Sequence, residues 1–158
     1  MNQQRTGFSG TALALPYAAY RAGVAWKNLL YDWELRTPAE VDAFVVSVGG
    51  LSFGGSGKTP MTEYLARKLF RKGKTAIISR GYRRKTAGCQ LVSDGDSILL
   101  TPEEAGDELY MLAQNLNGIV VIADQFRVRG ARYAKAEFGA ENILLDDGFQ
   151  FRLLKRDR

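Results

Sequence analysis

From Phe44 onward, short apolar runs alternate with longer segments in which apolar residues recur every three or four positions. Phe44–Val48, Thr75–Ser79, Ile119–Ala123 and Asn142–Asp146 are near-continuous apolar runs and read as buried strands. Cys89–Ser93 predicts a further, shorter strand. Between them, the spacing predicts helices from about Thr59 to Lys72, Glu103 to Leu116 and Phe126 to Phe138. Thr101 and Pro102 supply an N-cap and a first-turn proline for the second of these. Strands in alternation with helices predict an α/β domain, its mostly parallel sheet flanked by helices. The chain shows no internal repeat and no low-complexity segment.

Upstream, residues 1–15 read as a frayed terminus, and Pro16 to about Leu35 as an amphipathic helix with proline in its first turn. Tyr17, Tyr20, Val24, Leu30 and Tyr31 lie on one side, extended by Trp26, Leu29 and Trp33 and interrupted by Arg21, Lys27 and Asp32. Such a helix either packs on its own domain or lies in a membrane interface, where aromatic and basic residues are enriched. The expected organisation is therefore an N-terminal helix region, 1–40, and an α/β domain, 41–158. The most apolar stretch, 11–26, contains Pro16 and Arg21 and is shorter than the roughly 20 residues of a spanning helix. It also lacks the cleavage signature of a secretory signal.

Composition narrows the chemistry. The chain has no histidine, which excludes histidine-dependent triads and most zinc sites built from this sequence alone. Cys89 is the single cysteine, so no intramolecular disulfide forms and a reducing, cytosolic setting fits. The net charge is +5, and Arg67–Lys85 holds nine Lys and Arg with no Asp or Glu. That run is either a solvated helix face or a surface that meets phosphates, anionic lipid or nucleic acid. No RNA-binding motif, helix-turn-helix pattern or finger spacing accompanies it, so nucleic acid ranks last.

The strongest chemical signal is Ser52-Phe53-Gly54-Gly55-Ser56-Gly57-Lys58-Thr59, placed between a predicted strand and a predicted helix. A P-loop needs glycines so that backbone N–H groups converge on phosphates at a helix N-terminus, with Lys58 reaching the β- and γ-phosphates and the Thr59 hydroxyl serving Mg²⁺. The first glycine of the usual pattern is Ser52 here. The fold class that follows is P-loop NTPase-like, with ATP and Mg²⁺ as the cofactors. A second signal is Ile143-Leu144-Leu145-Asp146-Asp147, a strand ending in carboxylates where a Walker-B aspartate would serve the metal; spacing does not choose between Asp146 and Asp147. A third is Gly106-Asp107-Glu108. Both acids would complement a helix dipole, and Asp107 is the available carboxylate to accept an acceptor hydroxyl proton.

Taken together and in order, Val48–Pro60, Ile78-Ser79-Arg80-Gly81-Tyr82-Arg83-Arg84-Lys85, Gly106-Asp107-Glu108, Asp124 with Arg127, and Leu145–Gln150 resemble the tetraacyldisaccharide 4'-kinases. The resemblance covers nearly the whole chain from about Leu15. It implies transfer of the ATP γ-phosphate to the 4'-hydroxyl of a lipid A disaccharide 1-phosphate precursor, at the cytoplasmic face of the bacterial inner membrane. It further implies that Asp107 is the catalytic base, with Lys58 acting on the phosphates. The nucleotide would be held by Ser52, Phe53, Gly54, Gly55, Ser56, Gly57, Lys58 and Thr59. Thr59, Asp146 and Asp147 would serve the metal, and Arg80 a phosphate or the acceptor. The helix from Pro16 to Leu35 would match a membrane-associating helix that meets an anionic surface. Two departures are expected to matter. Phe151 stands where histidine is common, and members of the family are longer, their second lobe supplying a histidine that pairs with the catalytic aspartate. The present chain accordingly reads as an N-terminal half with little transfer activity alone. A GTPase of the metal-chaperone type would carry an Asn/Thr-Lys-x-Asp string, which is absent; a non-catalytic nucleotide-binding module is the remaining alternative.

Overall fold

A computed structural model describes residues 38–49, 57–148 and 153–158. The expected helix at Pro16–Leu35, the loop residues Ser52–Ser56 and Phe151 lie outside the described residues. Five strands are present: β1 (Phe44–Ser47), β2 (Thr75–Ser79), β3 (Gln90–Ser93), β4 (Val120–Ala123) and β5 (Asn142–Leu145). Four helices intervene: α1 (Lys58–Phe70), α2 (Pro102–Ala105), α3 (Asp107–Asn115) and α4 (Arg127–Phe138). The sheet order is β1-β5-β2-β4-β3. All pairings are parallel except β3 with β4, which is antiparallel and carries an irregularity between Leu91 and Ser93.

The central strands are apolar throughout because both faces are covered. In register, Ile77 pairs with Val121 and Leu144, and all three point to the face packed by Ala66 and Leu69 of α1 and Leu109 and Leu112 of α3. Their neighbours Ala76, Ile78, Ile122, Ile143 and Leu145 point to the other face, against Ala131 and Ala134 of α4. Each fully buried aliphatic side chain of this set is worth about 1.5–3 kcal/mol. The segment after β5 returns to the outer edge of β1, where Ser47 N–H donates to the Arg158 carbonyl at 3.0 Å and Asp157 N–H to the Val45 carbonyl at 2.8 Å.

One expected element is divided. The helix predicted from Glu103 to Leu116 breaks at Gly106, which adopts φ 86°, and becomes α2 and α3. A Cβ at Gly106 would sit 2.7 Å from the Tyr82 carbonyl oxygen. Only glycine allows the chain after β2 to press on this point while adopting a left-handed φ. The predicted start is as expected, with the Glu104 carboxylate accepting from Thr101 N–H at 2.9 Å.

Candidate functional site

Asp146 and Asp147 follow β5, Arg80 follows β2 and Asp124 follows β4, so the carboxyl-terminal ends of three adjacent parallel strands deliver their polar residues to one edge of the sheet. In open α/β sheets that edge is where ligands bind. Gly57, at φ 67°, turns the chain into α1, whose first-turn N–H groups have no partners within the helix.

Three side chains of α1 then reach three segments distant in sequence. Lys58 Nζ donates to Asp147 Oδ1 at 2.9 Å, Thr59 Oγ1 to Glu108 Oε1 at 2.7 Å, and Thr62 Oγ1 to Asp146 Oδ1 at 2.9 Å. The hydrogen bond to Asp147 holds the Lys58 ammonium above its usual pKa. Asp147 takes φ 51°, an uncommon backbone for a non-glycine residue that aspartate tolerates better than most. Asp146 is only 2% exposed. Burial pushes its carboxyl above the usual range, opposed first by the Thr62 hydroxyl, while the nearby Glu108 and Asp147 charges push it further up.

Asp107 is exposed at the first position of α3, next to Glu108. The break at Gly106 therefore places both acids at the start of a helix facing the start of α1. Behind the carboxylates lies Arg127, buried, donating to the Asp124 carbonyl at 2.8 Å. Burial lowers its pKa, and the Asp146 and Asp147 charges oppose that fall. Asp124 is fully buried and grips Arg129 through two 2.8 Å bonds. Burial pushes its carboxyl up, but Arg129 and the Phe126 N–H outweigh this and leave it below the usual value. Beside it, burial and then the Asp124 charge push the Cys89 thiol up to about 11, which leaves it protonated and unreactive.

Arg80 is exposed and lines a cavity of about 210 Å³ with Arg84, Thr86, Gly88 and Gln125. Its walls are fixed by Arg84, which donates to the Gly88 carbonyl at 2.6 Å, and by Thr86, which donates to the Glu104 carbonyl at 2.6 Å.

Among the described residues no three His, Cys, Asp or Glu side chains form a ready cage for a metal. The donors around Thr59 are nevertheless all hard oxygens: its own hydroxyl and the carboxylates of Glu108, Asp146 and Asp147. Mg²⁺ typically takes one or two carboxylates, keeps waters and shares substrate phosphates, so this set fits it without a cage. Gly57, Lys58, Thr59, Asp107, Asp146 and Asp147 are thus gathered at one sheet edge. Sequence reasoning read Glu108 as a dipole-complementing acid and passed over Thr62 altogether. A signal for Thr62 existed in its spacing of four from Lys58, which puts both on one face of α1.

The chain matches the family described as LpxK, tetraacyldisaccharide-1-P 4'-kinase, over residues 11–158. It is 46% identical to a tetraacyldisaccharide 4'-kinase of Halothermothrix orenii over 140 residues, covering 87% of this chain and 36% of that protein. It is 43% identical to that of Anaeromyxobacter dehalogenans, covering 94% of this chain and 40% of the relative. Its fold superimposes on a crystal structure of the "apo" form of LpxK from Aquifex aeolicus in complex with ATP, with a TM-score of 0.84 and 39% identity. That match covers 92% of this chain and 46% of the other. The chain spans about two fifths of the length of the curated relatives it matches.

Proposed function

Since this chain belongs to the tetraacyldisaccharide-1-P 4'-kinase family, we propose that it is the nucleotide-binding part of an enzyme that moves the γ-phosphate of ATP to the 4'-hydroxyl of a tetraacylated disaccharide 1-phosphate. The observation that carries this reading is the convergence of Lys58, Thr59 and Thr62 of one helix on Asp147, Glu108 and Asp146. A cation, a hydroxyl and a set of carboxylates at the N-terminus of a helix form a site for a metal-bound polyphosphate.

In this reading Ser52–Gly57 wrap the phosphates with backbone N–H groups, and Lys58 leaves Asp147 to lie against the β- and γ-phosphates. Mg²⁺, when bound, neutralises phosphate charge and polarises the transferring group. Thr59 and Glu108, with Asp146 or Asp147, are the residues that would hold it. Thr62 orients Asp146 by donating to one of its oxygens, which leaves the other facing the site. Asp107, exposed beside Glu108, accepts the proton of the attacking sugar hydroxyl. The cavity at Arg80 and Arg84 lies on the same edge and would take an acceptor phosphate. Catalysis then rests on positioning and charge stabilisation, as phosphoryl transfer generally does. No described helix is long and apolar enough to cross a membrane. A peripheral position on the inner face of the inner membrane, reached through the helix at Pro16–Leu35, suits an acceptor whose acyl chains stay in the bilayer.

The test is calorimetric titration of ATP·Mg²⁺ into the wild type and Lys58→Ala. Loss of the ammonium should weaken binding about tenfold or more, since a charge-assisted phosphate contact is worth about 1.5–3 kcal/mol. Equal affinities would refute the assignment of the site.

A further inference from the structure

Two exposed aromatic side chains stand at the same edge of the sheet and have no part in the chemistry above. Tyr82 is 70% exposed and Phe126 is 53% exposed. Each lies three residues beyond the paired strand ends Ser79 and Ala123, so the two loops that carry them leave the sheet side by side. Each ring also has an arginine on it: the Arg83 guanidinium lies 5.2 Å from the Tyr82 ring centre, and that of Arg129 5.3 Å from the Phe126 ring centre. Arg83 holds this place at φ 60°, a backbone that arginine rarely adopts.

Charge divides between the two ends of the molecule. The loop 80–88 carries Arg80, Arg83, Arg84 and Lys85 and no acid. In the loop 124–126 the one acid, Asp124, is fully buried and paired with Arg129. At the amino-terminal end of the strands, Glu40, Asp42 and Glu141 line one cavity with Lys135, and Asp94 and Asp96 line another with Lys74. An anionic surface would draw in the first end and hold off the second.

We infer that the Tyr82–Arg83 and Phe126–Arg129 pairs form a contact surface for an anionic phospholipid bilayer, separate from the helix at Pro16–Leu35. Exposed aromatic rings backed by arginine suit the headgroup level, where the ring enters the apolar boundary and the guanidinium stays with the phosphates. The inference rests on the reading above in one respect: an acceptor anchored by acyl chains meets the site most directly if the sheet edge bearing Asp107 and Asp146 faces the membrane. The surface would then orient the site as well as hold it near the bilayer.

The experiment replaces Trp26 and Trp33, the chain's two tryptophans, by phenylalanine and introduces one reporter at a time in the full chain. Phe126→Trp reports the proposed surface, and Asp96→Trp reports the opposite edge. On vesicles of phosphatidylethanolamine and phosphatidylglycerol the Phe126→Trp emission should shift to the blue and be quenched by brominated acyl chains, while the Asp96→Trp emission should not change. Adding Arg83→Gln should weaken partitioning about fivefold, the usual effect of one cation near an anionic surface. A silent Phe126→Trp reporter, or equal quenching at both positions, would overturn the inference. ATP·Mg²⁺ titration of the same proteins separates the two readings: bound nucleotide with a silent reporter removes the membrane surface only, and absent nucleotide binding removes the proposed function.

Discussion

Replacing Thr62 by valine removes one hydroxyl and leaves almost the same shape. The hydroxyl donates to Asp146 at 2.9 Å in a fully buried pair, and among the described residues Ser79 also bonds that carboxyl. A hydrogen bond to an ionised group contributes about 1.5–3 kcal/mol. For a domain of this size that corresponds to a fall in Tm of roughly 3–12 °C at neutral pH. The loss should depend on pH, and its sign follows from Asp146. Burial raises its folded pKa above the unfolded value, so the folded state holds more protons in that window and wild-type stability falls as pH rises through it. Thr62 opposes that rise, and without it the folded pKa climbs further. At low pH, where Asp146 is protonated in both proteins, the gap should shrink toward that of a neutral hydrogen bond. It should widen as pH passes through the wild-type and then the mutant folded pKa. Circular dichroism melts across a pH series measure this directly. A Tm difference that stays constant from acid to neutral pH, or vanishes at neutral pH, would refute the role given to Thr62.

Other substitutions test other parts of the site. Asp147→Asn frees Lys58 from an exposed pair whose carboxylate is 66% accessible. Such pairs are worth about 0.2–1 kcal/mol, so ATP affinity measured without Mg²⁺ should stay level or improve up to about fivefold; a loss there would contradict the displacement of Asp147 by phosphate. The same variant should lose most of the gain in affinity that Mg²⁺ gives the wild type. Gly106→Ala forces a Cβ to 2.7 Å from the Tyr82 carbonyl at a left-handed φ and should cost about 1–3 kcal/mol, read as a lower urea midpoint. An unchanged midpoint would mean that the break between α2 and α3 is not set by this contact.

The strands were legible because burial on both faces leaves a continuous apolar signature. Thr75–Ser79 was read to the residue, and the others to within one. The P-loop was legible because its chemistry is local: glycines, a lysine and a threonine act from consecutive positions. What escaped was set by contacts across the sequence. The helical spacing runs through Leu109, Leu112 and Leu116 without a flaw, and the break at Gly106 comes from a backbone twenty-four positions upstream. Glu108 reads as an ordinary first-turn acid until the fold brings it to Thr59, 49 positions away. Thr62 looks like an indifferent helix residue, because its partner lies 84 positions on. The direction of β3, antiparallel at the edge, likewise has no mark in four residues of sequence.

The ties from α1 to Asp146 and Asp147 span 84 and 89 positions, more than half the chain. No contiguous fragment much shorter than the domain holds the site, and a chain that has not closed its central strands has none of it. Nucleotide therefore distinguishes finished molecules from unfinished ones. A ligand that binds only the closed state shifts the folding equilibrium toward it by mass action, about 2.7 kcal/mol at a hundredfold excess over Kd. In a preparation of uncertain quality, the fraction of chains that ATP protects from a protease is a count of those that have completed their fold.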